Sequence, residues 1–320
     1  MHGFLYLDRS MSRVERRNGI VTGAASGLGR AIAVRLARDG WHLALADVDT
    51  AGATETVRLV EQAGGTAQVE PLDVRDEHAW RDLLERLRSQ WRHLDLIVNN
   101  AGVVASGEIG AMSIDDWDWL LSINLRGVFL GCHTMLPWLI ENPRRSYVLN
   151  MASVAGLISG PKMGAYNVSK AGVISLSETL FQEVRQHNIG VTAVCPWFVK
   201  TNLLNHGRFT DMREKTAGAT FTENSRVTPE KVADQAVRGM YRGRLLVVVG
   251  FRANQLFWTK RQLPNWYFSI AEWVQRWVLA PFWPRATSEA RQSPAPQEAL
   301  ELEPLSVATE MEGDCSAQRA

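Results

Sequence analysis

Cysteine, net charge and long hydrophobic runs are all scarce in this chain of 320 residues. The three cysteines, Cys132, Cys195 and Cys315, lie far apart without a CxxC pair, which argues against a disulfide framework or a zinc site. The 35 basic side chains nearly balance the 34 acidic ones, so the net charge of +1 gives no reason to expect a nucleic acid as partner. The purely apolar runs are only as long as a strand, so we expect no transmembrane helix of about 20 residues.

Further absences concern metal binding and targeting. The histidines are scattered without the spacing of metal ligands, and we assign no metal. The first residues have an apolar patch followed by basic residues, which reverses the order of a secretory signal peptide. Either Met1 or Met11 can be the start of the protein. Together with the few cysteines, these features favour a cytoplasmic protein.

Short β-branched runs alternate with amphipathic, helix-like stretches over residues 19–250. This alternation predicts a parallel sheet with helices on both faces, that is, a doubly wound, Rossmann-like α/β fold. Helices are expected at 30–39, 53–63 and 77–91. Strands are expected at 20–23, 42–46, 68–72, 94–98, 146–150, 191–194 and 245–249.

The composition divides the chain into four parts. Residues 1–18 form an N-terminal extension, and residues 19–250 form the predicted α/β domain. Residues 251–285 contain five of the 12 tryptophans and are expected to be a helical extension. Residues 286–320 carry seven acidic and two basic side chains among many Pro and Ser residues, a composition typical of a disordered tail.

A glycine-rich segment separates the first predicted strand from the first predicted helix. Glycines at such a place let the backbone approach a pyrophosphate, and the helix N-terminus adds free N–H donors and the positive end of its dipole. Glycines also occur in ordinary tight turns, which is the alternative interpretation. The residues expected to bind a dinucleotide here are Gly23, Ser26, Gly27, Leu28 and Gly29.

Asp47 ends the second predicted strand, 18 residues after the last loop glycine. A carboxylate there can accept hydrogen bonds from the adenosine ribose and repels a 2′-phosphate. No basic residue follows Asp47, and Ser26 rather than Arg or Lys precedes Gly27, so NAD is favoured over NADP. The alternative role of Asp47 is to cap a turn. Asp73 and Val74, after the third strand, are placed to contact the adenine.

Tyr166 and Lys170 are four residues apart on a helical pattern, so their side chains share one face. A phenol with a reference pKa of about 10 is a poor base at neutral pH, but a nearby ammonium can lower its pKa by about 2–3 units. Tyr166 would then act as a general acid or base. A Tyr-Lys pair alone usually marks a solvated helix face. Ser153 at a strand end and Asn124 further back make the catalytic interpretation specific.

Together these motifs resemble the short-chain dehydrogenase/reductase family, in its single-domain, NAD-preferring form. The match covers roughly residues 19–250 in the expected order and spacing. The motifs are Thr22-Gly23 with Gly27-Leu28-Gly29, Asn99-Asn100-Ala101-Gly102, Asn124, Ser153, Tyr166-Asn167-Val168-Ser169-Lys170, and Pro196 with Thr201.

The resemblance implies a role for each motif. Tyr166 would pass a proton to or from the substrate oxygen during hydride transfer with the nicotinamide, and Ser153 would donate a hydrogen bond to that oxygen. Lys170 would lower the Tyr166 pKa and bind the nicotinamide ribose, and Asn124 would anchor a water that relays protons. The remaining cofactor contacts implied by the family are Asn100, Ala101, Gly102, Pro196, Val199 and Thr201.

Two positions depart from the family pattern. Trp197 stands after Pro196 where the family often has glycine, which puts the loop path in doubt, and the opening strand is short. Residues 202–226 are polar and contain glycine, as a mobile lid would. Apolar residues expected to line the substrate pocket, unless they pack in the core, are Val103, Val104, Val154, Met163, Trp197 and Phe198.

The tryptophan-rich extension has two interpretations. Trp266, Ile270, Trp273 and Trp277 recur at helical spacing among basic residues, which suits a peripheral membrane contact through residues 251–285. The alternative is a helix that packs on its own core or on a partner subunit. The family commonly forms oligomers, so a homodimer or homotetramer is expected.

The sequence as a whole predicts an NAD-dependent oxidoreductase that interconverts an apolar alcohol, expected to be secondary, and its ketone or aldehyde. A small alcohol or carbonyl compound is the expected substrate. The alternative function is a catalytically quiet NAD-binding sensor or scaffold. The complete set of Asn124, Ser153, Tyr166 and Lys170 argues against this alternative.

Overall fold

The computed structural model describes residues 16–274, and their main feature is a parallel sheet. Its seven strands lie in the order β3-β2-β1-β4-β6-β7-β9, and every neighbouring pair is parallel. Two short strands, β5 and β8, pair separately. The strands are β1 (Asn18–Thr22), β2 (His42–Asp47), β3 (Thr66–Pro71), β4 (Leu96–Asn99), β5 (Ala105–Ser106), β6 (Ser146–Met151), β7 (Ile189–Pro196), β8 (Arg208–Phe209) and β9 (Leu246–Val249).

Helices connect the strands and continue beyond the last one. The sequence segments 1–15 and 275–320, with the predicted tail and with Trp277, lie outside the described residues. The helices are α1 (Gly27–Ala37), α2 (Thr50–Gln62), α3 (Glu77–Gln90), α4 (Ile114–Leu121), α5 (Gly127–Glu141), α6 (Ala155–Ile158), α7 (Gly164–Glu183), α8 (Met212–Glu223), α9 (Pro229–Tyr241), α10 (Phe251–Gln262) and α11 (Pro264–Val274).

Both faces of the sheet are covered by helices. Trp80 of α3 and Met135 of α5 belong to the buried cluster on one face, and Ile32 of α1 and Val237 of α9 belong to the cluster on the other. Every residue of the central strands β4, β6 and β7 is buried, because a parallel strand between two helical layers has no solvent-facing side. The predicted doubly wound, Rossmann-like fold is confirmed.

The predicted elements differ from the structure mainly at their ends. Strand β7 is longer than the predicted 191–194 because β6 and β9 pair with it on its two sides. Residues 202–226, expected to be a polar lid, contain a 3₁₀ turn (Asn202–His206), β8 and helix α8. The pairing of β8 with β5 joins residues about a hundred positions apart, which local periodicity does not reveal.

The amino-terminal edge of the sheet is held by Asp95, which is fully buried. Its Oδ2 accepts hydrogen bonds from the Asn18 amide at 2.9 Å and from Arg144 Nη2 at 3.0 Å. Its Oδ1 accepts a hydrogen bond from Asn142 Nδ2 at 3.1 Å. One carboxylate therefore fixes the start of β1 and the turn before β6.

We predict that Asp95→Ala lowers the free energy of unfolding by about 2–3 kcal/mol, because it leaves partly buried donors without an acceptor. NADH affinity should stay unchanged, since Asp95 precedes β4 at the edge opposite the glycine loop. Urea unfolding and cofactor fluorescence titration measure the two quantities. The control is Asp82→Ala on the exposed side of α3, which should change stability by less than about 0.5 kcal/mol. Equal effects of the two substitutions would contradict this role.

Candidate active site

The glycine loop between β1 and α1 lies at the carboxyl edge of the sheet. Gly23 and Gly27 have positive φ angles of 63° and 55°, which side chains disfavour. A Cβ at Gly29 would lie 2.1 Å from the Gly23 carbonyl oxygen, so only glycine permits this approach of α1 to the loop. The predicted glycines are thus required by the backbone geometry.

Side chains from neighbouring elements fix this loop. Asn100 Nδ2 donates to the carbonyl oxygens of Thr22 and Gly23 at 2.9 and 3.1 Å. The Thr22 hydroxyl accepts hydrogen bonds from the Asn100 and Ala101 amides at 2.9 and 3.1 Å. Asn100 and Ala101, both expected at the cofactor site, therefore connect β4 to the glycine loop.

The N-terminus of α1 is open to a ligand. Ser26 is its N-cap residue with an extended backbone, and in the described structure no side chain caps the first turn. The first amide groups of a helix have no intrahelical acceptor, so those following Ser26, at Leu28 and Gly29 among others, can bind an anion. Thr201 approaches from the loop after β7, since a Cβ at Gly27 would be 3.4 Å from its side chain.

Asp47 lies beside the same loop, at the end of β2. Its Oδ2 accepts a hydrogen bond from the Ala25 amide at 2.9 Å, and its Oδ1 accepts one from the Asp49 amide at 3.0 Å. Within residues 16–274, Asp47 forms no ion pair. A half-buried carboxylate without a neighbouring cation suits ribose hydroxyls and disfavours a phosphate.

Asp73 and Val74 lie after β3, and their contacts differ. The Asp73 carboxylate pairs with Arg75 at 2.6 Å, and this hydrogen bond lowers the Asp73 pKa. Val74 is buried, and a Cβ at Gly127 would lie 2.9 Å from its side chain. The Val74 side chain therefore packs in the interior, whereas the Asp73 carboxylate forms an ion pair with Arg75 at the surface.

Asn124 lies in a turn of π-helix, Ser122–Arg126, between α4 and α5. It is fully buried, and its Oδ1 accepts from the Val103 amide while its Nδ2 donates to the Val103 carbonyl, both at 2.8 Å. A Cβ at Gly102 would lie 3.2 Å from Asn124 Oδ1 and 3.5 Å from Lys170 Nζ. Asn124 and Lys170 thus flank the glycine that ends the Asn-Asn-Ala-Gly motif.

Tyr166 and Lys170 lie on α7, and Ser153 follows β6. The Ser153 side chain lies near enough to the Tyr166 phenol to lower its pKa, and its Oγ accepts from the Ala155 amide at 3.1 Å. Lys170 Nζ lies 5.8 Å from the centre of the Tyr166 ring. The structure thus brings the predicted serine, tyrosine and lysine together.

The pKa of Tyr166 differs from the sequence expectation. Burial raises the pKa of Tyr166 above its ordinary value, and the nearby Ser153 side chain offsets only part of this. Lys170 does not lower it here, because burial makes Lys170 the stronger acid of the two and it loses its charge before the phenol ionises. Its Nζ donates to the Met151 carbonyl at 2.9 Å. Burial lowers the pKa of Lys170 to about 8. In the free protein, Tyr166 is therefore a neutral phenol that can donate a proton.

Cys195 is buried beside Lys170, and burial raises the pKa of its thiol to about 12. A thiol that stays protonated at neutral pH is a poor nucleophile. Cys195 therefore serves as a small side chain of the buried core.

Trp197 replaces the glycine that the family often has after Pro196. Its amide donates to the Val249 carbonyl at 3.0 Å, so the loop stays bonded to β9. A Cβ at Gly250 would lie 3.1 Å from Trp197 Cβ, and Gly250 has a φ of 120°. The bulky residue is therefore accommodated by a glycine on the neighbouring chain segment.

The remaining pocket residues fall into two groups. Val104 and Met163 belong to one apolar cluster with Tyr166, Leu203 and Phe209. Phe198 lies in the loop after β7 and stacks on Phe221 of α8, with ring centres 5.3 Å apart. Val199 is half-buried in the same loop, next to Thr201.

Sequence reasoning missed residues that hold the site in place. Arg30 of α1 donates to the Ala25 and Gly52 carbonyls and to Thr56 Oγ1, which ties the loop to α2. In the sequence, only the position of Arg30 directly after Gly29 indicated that it belongs to the cofactor site. Arg208 pairs with Asp116 at 2.9 Å and fixes the start of the lid segment to α4.

These residues fit a nicotinamide dinucleotide. The absence of side chains at the loop glycines leaves space for a pyrophosphate, next to the first amides of α1. The same loop positions Asp47 through the Ala25 amide, where it can meet the adenosine ribose. Tyr166 and Lys170 lie at the carboxyl ends of the central strands, where ligands of doubly wound folds bind. In the described part of the chain, no group of three or more His, Cys, Asp or Glu side chains forms a metal cluster.

Comparison with known proteins agrees with this arrangement. The SadH protein of Mycobacterium tuberculosis is 32% identical over 248 residues, which cover 76% of this chain and 90% of SadH. Human (3R)-3-hydroxyacyl-CoA dehydrogenase is 36% identical over 198 residues, which cover 59% of this chain and 76% of the human protein.

A solved structure gives the same result at the level of the fold. A short-chain dehydrogenase/reductase from Burkholderia phymatum, crystallised with NAD, matches with a TM-score of 0.74 and 27% identity. The match covers 78% of this chain and 94% of that one. The sequence pattern of the short chain dehydrogenase family matches residues 17–211. The chain therefore belongs to the short chain dehydrogenase family and is an oxidoreductase of that family.

Proposed function

We propose that this protein is an NAD-dependent oxidoreductase that interconverts an apolar secondary alcohol and its ketone. One observation carries the proposal: Ser153, Tyr166 and Lys170 meet at the carboxyl edge of the sheet, with Asn124 beside Lys170. The bound nicotinamide would supply or accept the hydride. The protein must then bind the carbonyl oxygen, provide its proton and exclude water.

Tyr166 is the proposed proton donor for reduction. Its burial keeps the phenol neutral, so the O–H proton is available to a carbonyl oxygen as negative charge develops there. Ser153 would donate a second hydrogen bond to the same oxygen, which stabilises that charge. In the reverse direction a Tyr166 phenolate would accept the alcohol proton, and the nearby Lys170 would favour that phenolate while it is itself charged, below its pKa of about 8.

Tyr166 would regain its proton from solvent by a route that includes Lys170 and Asn124. The lowered Lys170 pKa of about 8 allows this ammonium to give up and regain a proton near neutral pH. Asn124 would anchor the water that links Lys170 to solvent. Since its amide already holds the backbone of Val103, this contact would use the second lone pair of Oδ1.

The proposed cofactor is NAD, with Gly23, Gly27 and Gly29 cradling the pyrophosphate, Asp47 binding the adenosine ribose, and Val74 next to the adenine. Asp47 is the main support for NAD over NADP, because it has no cation beside it that would attract a 2′-phosphate. The relative from Burkholderia phymatum was crystallised with NAD, which is consistent. The other proposed cofactor contacts are Ser26, Leu28, Asp73, Asn100, Ala101, Gly102, Pro196, Val199 and Thr201.

The proposed substrate is apolar because hydrophobic side chains surround Tyr166. Val104, Met163, Leu203 and Phe209 share its cluster, and the proposed pocket also takes in Trp197 and Phe198, whose ring centres lie 5.2 Å apart after β7. The human relative is named for a 3-hydroxyacyl substrate, which is a secondary alcohol. This name supports the reaction class and leaves the substrate of the present chain to be identified.

We also propose that the protein is a cytoplasmic homodimer or homotetramer. An apolar depression of about 520 Å³ on α4, α5 and α7 includes Leu121, Leu125, Leu176 and the half-exposed Phe129. An apolar surface of this kind suits a contact between subunits.

Tyr166→Phe should reduce turnover by about a thousandfold while NADH affinity changes by less than about threefold, because it removes only the transferred proton. Steady-state rates on a panel of secondary alcohols and ketones test the first effect, and fluorescence titration tests the second. The control is Tyr241→Phe, which removes a hydroxyl that bridges Trp41 and Asp39 away from the site. A Tyr166→Phe enzyme as active as this control would contradict the acid–base role.

The same panel separates the enzyme from a catalytically quiet NAD-binding sensor. The enzyme predicts NADH binding together with turnover that Tyr166→Phe removes. A sensor predicts NADH binding without turnover on any compound, and it would leave Tyr166→Phe indistinguishable from the unmodified protein.

Asp47→Ala should weaken NADH binding and raise the affinity for NADPH relative to NADH by about tenfold or more, because it removes the repulsion of the 2′-phosphate. Titration with both cofactors gives the ratio. The control is Asp49→Ser, which removes a nearby charge but keeps an oxygen for the Gly52 amide at the N-cap of α2. An unchanged ratio in Asp47→Ala would contradict the assignment of NAD.

A further inference from the structure

The two helices after β9 expose an unusual number of large apolar side chains. Trp258 and Trp266 are 54% and 69% exposed, and Phe251 is 78% exposed. Leu263, in the turn between α10 and α11, and Phe268 are about half exposed. A contiguous chain segment with this many exposed aromatic residues is typical of a surface that binds a protein, a ligand or a membrane.

The charge of the same helices is mainly positive. Residues 251–274 contain Arg252, Lys260 and Arg261 and one acidic residue, Glu272. Arg252 and Arg261 are exposed, and Arg261 lies over the ring of Phe257 at 6.0 Å. The exposed surface therefore combines aromatic rings with positive charge.

A different set of contacts fixes these helices to the catalytic domain. Lys260 Nζ donates to the Leu157 carbonyl at 2.8 Å, and the Tyr267 hydroxyl lies 3.5 Å from the Ile158 carbonyl. Ala253 and Tyr267 are buried. Lys260, Ala253 and Tyr267 thus face the domain and hold α10 and α11 against α6. Trp258 and Trp266 stay exposed to solvent.

We propose that α10 and α11 bind the surface of an anionic lipid bilayer and lie in its headgroup region. Trp and Phe bury their rings at the boundary between headgroups and acyl chains, while arginine stays with the phosphates. Each basic residue near such a surface contributes about 1 kcal/mol at physiological ionic strength. No helix in residues 16–274 is long and apolar enough to cross a bilayer, so the helices lie on the membrane surface.

A second copy of the chain is a less suitable occupant of this surface. A symmetric contact would place Arg252 and Arg261 of both copies in one interface, with Glu272 as the one acidic residue that residues 251–274 of each copy could offer in compensation. A bilayer with phosphatidylglycerol or phosphatidylserine supplies the missing negative charge and accepts the aromatic rings.

The position of these helices relates the membrane to the substrate pocket. Helix α6, on which they pack, begins two residues after Ser153, and Gly250, which precedes α10, contacts Trp197. Ser153 and Trp197 therefore both lie on segments that adjoin the lipid-binding helices. This consequence rests on the proposed function, and it favours a substrate that partitions into the bilayer.

Liposome flotation of the full-length protein tests the proposal without any enzymatic assay. The protein should float with vesicles of phosphatidylcholine and phosphatidylglycerol, and much less with pure phosphatidylcholine. Arg252→Gln with Arg261→Gln should lower the partition coefficient for the anionic vesicles by roughly 30-fold. Trp258→Ser with Trp266→Ser should lower it by about tenfold or more.

The matched control for charge is Arg92→Gln with Arg185→Gln, two exposed arginines elsewhere on the domain that should leave flotation unchanged. NADH titration on every variant checks that the fold is intact, and it should give the same affinity throughout. Because exposed residues are replaced, the free energy of unfolding should change by little.

Two results would overturn the proposal. One is an unmodified protein that stays at the bottom of the gradient with both kinds of vesicle. The other is a tryptophan double variant that floats as well as the unmodified protein. If the tryptophan substitutions instead reduce the subunit number in analytical ultracentrifugation and flotation is absent, the surface contacts a second copy and the bilayer assignment is wrong.

Discussion

The close approach of α1 to the end of β1 is the constraint on which the functional edge of this protein depends. A side chain at Gly29 would overlap the Gly23 carbonyl, so this helix can start only where it does. That start places the first amides of α1 above the sheet, and Asn100 fixes the loop from the neighbouring strand. Asp47 then takes its orientation from the Ala25 amide of the same loop. The phosphate and ribose ends of the cofactor site are thus set by one backbone contact.

The catalytic group depends on a second constraint, the burial of charge. Lys170 is nearly inaccessible to solvent, and its ammonium is held by the Met151 carbonyl and lies close to Gly102. Burial acts in opposite directions on the two neighbours, since it raises the Tyr166 pKa and lowers the Lys170 pKa. The two pKa values, close together for free side chains, therefore move apart, and in the free protein Lys170 gives up its proton more readily than Tyr166 does.

The sequence predicted the sheet well because the strands carry their own signal. Buried parallel strands are short runs of Val, Ile, Leu and Ala, and the glycine loop, Asp47 and the Tyr-Lys spacing are local patterns. What it missed depends on contacts between distant segments. The pairing of β5 with β8, helix α8 and the bonds of Arg30 to α2 are of this kind.

The direction of the Tyr166 pKa was missed for a related reason. Spacing along α7 shows that Lys170 is near, but the loss of solvation depends on every element packed around the phenol. The path of the loop at Trp197 also depends on a distant residue, because Gly250 leaves the space that a side chain at 197 needs.

The contact between Trp197 and Gly250 also constrains how this protein can change over time. Any side chain at position 250 meets both the Trp197 Cβ and an unfavourable φ of 120°, so a larger residue there requires glycine at 197 or a new backbone path. Positions 197 and 250 should therefore vary as a pair among descendants of this sequence. A substitution at 197 that reshapes the pocket would then be accompanied by a change in the chain path from β9 into α10.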